Sequence, residues 1–137
     1  MTIPFWVMTR FVGIVLVSHS AELAAGLREL LLQVGARTLT VLAAGGTDEG
    51  GLGTSYDLVH AAVEKADAGA GVLVLPDLGS SVLTARAVLD DHPRPGVVIV
   101  DAPFVEGAIA AAAIAATGAD LPTVVAAAEE ARDVRKL

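Results

Sequence analysis

The sequence contains no cysteine, which excludes disulfides, thiolate metal sites and cysteine nucleophiles together. Histidine is scarce, with three among 137 residues. A catalytic zinc would need all three, or two with a carboxylate, and no His-Glu-x-x-His spacing occurs. Long apolar runs are missing as well. A spanning helix needs ~20 continuous apolar residues, and the longest runs are Phe11 to Val17 and the alanine-dominated Gly107 to Ala116. Positive charge is in deficit, with a net charge of −7 and a pI of about 4.7. Such a surface repels phosphate backbones, so a nucleic-acid partner is not expected, and neither is a membrane one. Several motifs are also absent. No GxGxxG follows the first apolar run, no Gly-Lys-Ser/Thr closes a Walker loop, and no GxSxG marks a serine hydrolase. The first run ends in Ser-His-Ser, where a two-component receiver would need an acidic pair and a histidine phosphatase an Arg-His-Gly start.

What is present is one domain's worth of core. Hydrophobic residues make up 54% of the chain and charged residues 18%, so it is neither a disordered tail nor two domains. Four apolar runs read as strands: Phe11 to Val17, Thr38 to Ala43, Gly71 to Leu75 and Val97 to Val100. None alternates with polar residues, as befits strands covered on both faces. Helical patterns separate them. Ser20 caps the first, with Leu23, Leu27, Leu30, Leu31 and Val34 on one face and Gly35 as its stop. Thr54 or Ser55 caps the second, with Leu58, Ala62 and Val63 inward. Ser80 or Ser81 caps the third, which runs to about Leu89. Two Ala-rich helices follow, about Val105 to Ala116 and Leu121 to Arg132, the last capped by Asp120. The order βαβαβαβαα predicts an α/β fold: an open, mainly parallel four-stranded sheet, order 2-1-3-4, with helices on both faces. The domain is expected over residues 11–137. Residues 1–10 read as an N-terminal extension without a basic leader or cleavage site, so a cytoplasmic protein is expected.

In such sheets, ligands bind beyond the carboxyl ends of the strands, where strand order reverses. His19 sits there, between the first strand and the first helix. The positive end of the helix dipole disfavours a charged ring and favours a phosphoryl group on it. Asp77 follows the third strand, the neighbour of the first in a 2-1-3-4 order. It is placed to accept the Nδ1 proton of His19 and so present Nε2 as nucleophile. Ser20, Gly79, Ser80 and Ser81 offer amide and hydroxyl donors to a phosphate. The stretch from Gly45 through Gly46 and Thr47 to Gly53, with five glycines in nine residues, is a further candidate for phosphate contact. Asp101 and Glu106 are expected to shape the rim or cap the next helix. His60 and His92 are expected to be solvated surface residues.

These stretches resemble a known family. VGIVLVSHS (Val12 to Ser20), AAGGTDEGGLGTS (Ala43 to Ser55), GVLVLPDLGS (Gly71 to Ser80) and VVIVDAPFVEGAIAAA (Val97 to Ala112) are together similar to the IIA domain of mannose-class sugar phosphotransferase systems. The branch most resembled is the phosphotransfer subunit of bacterial dihydroxyacetone kinase. The resemblance spans roughly residues 11 to 131. It departs at Pro76, where Phe is expected, and at Ser81, where Ala is expected; both are read as matters of loop packing that touch neither His19 nor Asp77. The resemblance implies that His19 takes a phosphoryl group from the phosphocarrier HPr. It then passes the group to ADP on the nucleotide-binding kinase subunit, which serves a dihydroxyacetone-binding subunit. It further implies a homodimer, with no cofactor or metal on this subunit. A mannose-class IIA subunit serving a IIB sugar-transport protein is an alternative, as is a non-enzymatic phospho-regulated sensor module.

Overall fold

The computed structural model describes residues 10–35 and 37–137. Apart from Arg10, the extension expected over residues 1–10 lies outside them. The described elements are β1 (Gly13–Ser18), α1 (Ala21–Val34), β2 (Val41–Gly45), α2 (Tyr56–Ala66), β3 (Val72–Pro76), α3 (Gly79–Asp91), β4 (Val97–Ile99), α4 (Phe104–Ala115) and α5 (Leu121–Glu130), with a 3-10 turn at Ala131–Asp133. The four strands form one sheet in the order β2-β1-β3-β4. Every pairing is parallel, with Ile14 opposite Val41 and Leu73, and Val17 opposite Ala44 and Pro76.

The unbroken apolar run in β1 now has its cause. Successive strand side chains point to opposite faces. Ile14 and Leu16 enter a core with Leu27 and Leu31 of α1, the Ala108, Ala111, Ala112 and Ala115 stripe of α4, and Val124 of α5. Val15 and Val17 enter a second core with Val59 and Val63 of α2 and Ala85 and Val88 of α3. Both faces are dry, so both positions of the alternation must be apolar. Each large aliphatic side chain buried this way contributes roughly 1.5–3 kcal/mol. β2 and β4 are edge strands, only partly buried.

Four local expectations need correction. In α1, Leu23, Leu30 and Val34 are exposed, and only Leu27 and Leu31 of the expected face reach the core. In α2, Leu58 is 40% exposed and Val59 1%. Ser55 is the cap, accepting the Leu58 amide at 3.2 Å; Ala62 and Val63 are buried as expected, with Val59 in place of Leu58. In α3, neither Ser80 nor Ser81 is the cap. The helix starts at Gly79 after Leu78, without any side-chain cap bond, because both hydroxyls are engaged elsewhere. The first two strands also begin later than expected, at Gly13 and Val41.

Candidate active site at the carboxyl edge of the sheet

β1 and β3 are adjacent, and the crossing from β1 to β3 is where chain order reverses. Their carboxyl ends therefore project side by side. The Asp77 amide donates to the Val17 carbonyl at 3.0 Å, extending the ladder one residue past β3. The Gly46 amide donates to the Ser18 carbonyl at 3.1 Å, and the Gly53 amide to the His19 carbonyl at 3.0 Å. The backbone that carries His19 is thus held from both sides.

The Asp77 carboxylate is the hub. Oδ1 lies 3.1 Å from His19 Nδ1 and accepts from the Ser81 hydroxyl at 2.6 Å and the Leu78 amide at 2.6 Å. Oδ2 accepts from the Ser18 hydroxyl at 2.8 Å and the His19 amide at 3.3 Å. Burial pushes this carboxyl up, but the bonds from Ser81, Ser18, His19 and the Leu78 amide outweigh burial and hold it at about 2, below its ordinary 3.8. An ionised carboxylate only accepts, so the proton of the neutral His19 ring sits on Nδ1 and Nε2 carries the lone pair. Nε2 meets the Ser80 hydroxyl. Ser80 in turn lies 3.2 Å from Thr54 Oγ1. The His19 side chain is 27% exposed and that of Asp77 8%, so the reactive edge of the ring is reachable while its support is covered.

The absence of a side-chain cap on α3 leaves the first amides of that helix, from Gly79 onward, open to an anion at this end of the sheet. A cleft of about 430 Å³ opens beside it, lined by Pro76, Asp77, Val82, Arg86, Ile99 and Asp101 among others. No group of three or more metal-capable side chains occurs among the described residues. The arrangement is that of an oriented imidazole nucleophile with an anion-accepting helix start.

The other candidates sort differently. Ser20 caps α1, its hydroxyl accepting from the Leu23 amide at 3.2 Å while its own amide donates to Ser18 Oγ at 3.1 Å. Gly45, Gly46 and Thr47 are not brought onto the ring. The Gly46 amide goes to Ser18, the Thr47 amide to the Gly51 carbonyl at 3.0 Å, and Thr47 Oγ1 accepts the Gly51 amide at 2.9 Å. The Gly46 amide thus ties the loop to β1 and the Thr47 amide closes the loop on itself, so both amides expected to meet a phosphate already have backbone partners. Gly45 has a packing role. A Cβ there would stand 2.5 Å from the Ser20 carbonyl oxygen and 2.9 Å from Ala21 Cα. Gly45→Ala is expected to push the start of α1 away, lower stability by about 1–3 kcal/mol and disturb His19. Urea unfolding checks the first effect and phosphoryl uptake the second.

Asp101 lines the rim of the cleft as expected, and neither Asp101 nor Glu106 caps α4. They pair with Arg132 at 3.7 Å and Lys136 at 3.6 Å, tying down the C-terminal segment. His60 and His92 are not simply solvated: their rings stack with centroids 4.0 Å apart, and His60 Nε2 lies 3.1 Å from Glu64. Ser18 carries no expectation of its own, although a serine ending a wholly apolar strand is a usable signal. Ser81, expected to offer a donor to phosphate and to bear on loop packing, is instead fully buried and touches both His19 and Asp77.

Residues 13–125 match the EIIA-man family, described as the PTS system fructose IIA component. The chain belongs to the EIIA-man family. The matched span contains Ser18, His19, Thr54, Asp77, Ser80 and Ser81, the whole site described above. Among relatives of this EIIA-man chain is the phosphotransferase subunit DhaM of the PTS-dependent dihydroxyacetone kinase of Lactococcus lactis, 37% identical over 112 residues, or 82% of this chain and 89% of the relative. Another is the phosphoryl donor subunit DhaM of PEP-dependent dihydroxyacetone kinase 2 of Listeria innocua, 35% identical over 104 residues, or 74% of this chain and 83% of the relative. The crystal structure of the protein EF1359, whose function is given as unknown, superposes with a TM-score of 0.80 at 32% identity. That match covers 88% of this chain and 95% of the other. No helix among the described residues is long and apolar enough to cross a membrane.

Proposed function

We propose that this chain is the phosphohistidine carrier of a phosphoenolpyruvate-dependent dihydroxyacetone kinase. Its relatives are named as the phosphotransferase and phosphoryl donor subunits of such kinases. One observation carries the chemistry: the Nδ1 edge of His19 faces the ionised Asp77 carboxylate at 3.1 Å, so Nε2 is the nucleophilic atom, at the uncapped start of α3.

In this reading, HPr presents a phosphorylated imidazole. The Nε2 lone pair of His19 attacks its phosphorus in line, and the phosphorus–nitrogen bond to the donor breaks with its electron pair returning to the donor ring. Nδ1 keeps its proton throughout. The positive charge that develops on the His19 ring is balanced by Asp77, and the phosphoryl oxygens are met by the α3 amides and the Ser80 hydroxyl once it turns from Nε2. A terminal oxygen of ADP on the nucleotide-binding subunit then attacks the same phosphorus, breaking the bond to Nε2. The ATP so formed serves the dihydroxyacetone-binding subunit. We place this relay in the cytoplasm and assign the chain as a homodimer that itself needs no cofactor.

Reconstitution tests the reading. With phosphoenolpyruvate, enzyme I, HPr and the two kinase subunits, added chain is expected to support dihydroxyacetone phosphate formation, and its omission to stop it. Uptake of phosphate without that product would move the chain to a IIB sugar-transport acceptor or to a phospho-regulated sensor. No uptake at all would end the proposal.

A further inference from the structure

Ser81 stands in the first turn of α3, fully buried. Its hydroxyl has one proton, and that proton goes to Asp77 Oδ1 at 2.6 Å. The same oxygen lies 3.2 Å from His19 Nδ1. A hydroxyl that has committed its proton to a carboxylate offers only lone pairs to any other neighbour. Both groups that meet Nδ1, Asp77 Oδ1 at 3.1 Å and Ser81 Oγ at 3.2 Å, are therefore acceptors. The nearby Ser80 hydroxyl serves the other ring nitrogen and Ser18 the other carboxylate oxygen, so neither substitutes for Ser81. Alanine, the residue expected at this position, would supply neither bond.

We propose that Ser81 is a positioning residue, whose hydroxyl donates to Asp77 and accepts from His19 Nδ1–H and so forms a second lock on the tautomer that exposes Nε2. Its consequence for rate rests on the phosphocarrier reading, but the lock itself is a property of the unphosphorylated ring. Two acceptors share one N–H. Losing Ser81 leaves Asp77 alone to hold the proton on Nδ1, whereas losing Asp77 also frees the Ser81 hydroxyl to donate to Nδ1, so that the ring proton can move to Nε2 and block the nucleophile.

The test reads the ring directly. The imidazole 15N resonances of unphosphorylated chain are expected to report the Nδ1–H tautomer in the wild type, a minor Nε2–H population in Ser81→Ala and a large one in Asp77→Ala. In the HPr-driven assay, Ser81→Ala is expected to take up phosphate about tenfold more slowly, the lower end of the loss seen for hydrogen-bond partners behind a metal-bound histidine. Ser81→Thr, which restores the hydroxyl, is expected to recover most of the rate. A Ser81→Ala ring with the wild-type tautomer would overturn the lock. So would Ser81→Ala at the wild-type rate, a result that decides the matter alone if Asp77→Ala does not fold. A chain that takes no phosphate refutes the carrier reading and leaves the ring spectra to decide this one.

Discussion

His19→Ala is expected to take up no phosphate from phosphoenolpyruvate, enzyme I and HPr, while the wild type gains one phosphoryl group that is lost in acid. The reason is specific to one nitrogen. His19 Nε2 alone combines a partly exposed ring, a carboxylate on the opposite nitrogen and an open helix start. The chain provides internal controls in its other two imidazoles. His60 and His92 stack on one another between α2 and α3, with Glu64 against His60 and Asp91 bonded to Tyr56 nearby. That acidic surround repels a phosphoryl group, and neither ring stands at a helix start, His60 lying within α2 and His92 at the carboxyl end of α3. The variant should stay folded, because Asp77 keeps donors from Ser18, Ser81 and the Leu78 amide. A loss of no more than about 2 kcal/mol is expected for one bond to a charged group. Intact-mass measurement before and after acid treatment checks the uptake, and urea unfolding checks the fold. A phosphoryl adduct surviving in His19→Ala would transfer the chemistry to another side chain and dissolve the site.

Much of this architecture was legible because two physical signals are strong in the chain. Unalternated runs such as Phe11 to Val17 require cover on both faces, and their alternation with helical patterns permits few topologies. Once β1 and β3 are neighbours, residues just past their ends must meet, so His19 and Asp77 could be paired from sequence. What was not legible depends on contacts between distant segments. Leu58 and Val59 both satisfy helical spacing, and only the packing of α2 against Val15 and Val17 of the sheet selects Val59. Ser80 and Ser81 look like caps, yet their hydroxyls turn to a ring and a carboxylate supplied by other strands. The glycines from Gly45 to Gly53 suggest an anion cradle, but the geometry directs the Gly46 amide to the Ser18 carbonyl of β1 and the Thr47 amide to the Gly51 carbonyl of its own loop. The His60–His92 stack joins two helices across 32 positions of sequence, and no periodicity encodes it. Polar side chains choose among several nearby partners by a few tenths of an ångström, a distinction that spacing along a chain does not carry.

Asp77→Asn is expected to slow phosphoryl uptake by ~10²–10⁴-fold, the upper figure being the loss when the carboxylate behind a triad histidine becomes an amide, with the fold kept. The substitution is nearly isosteric but reverses two properties. An amide can donate, so it competes to turn the Nδ1 edge of His19 into an acceptor and move the ring proton to Nε2. A neutral group also cannot balance the charge that grows on the ring as phosphorus attaches. The same carboxylate leaves a signature in stability whose sign follows from its held position. Its folded value of about 2 lies below the ordinary 3.8, so its contribution is present in full above that ordinary value and is lost as pH falls through about 2. Urea midpoints should therefore separate wild type from Asp77→Asn at pH 5 and above and converge toward pH 2. Because the carboxylate stays ionised across the neutral range, the uptake rate should show no limb from Asp77 there. A midpoint gap that persisted at pH 2 would mean that Asp77 acts by shape alone, and the charge-based account of His19 would fail with it.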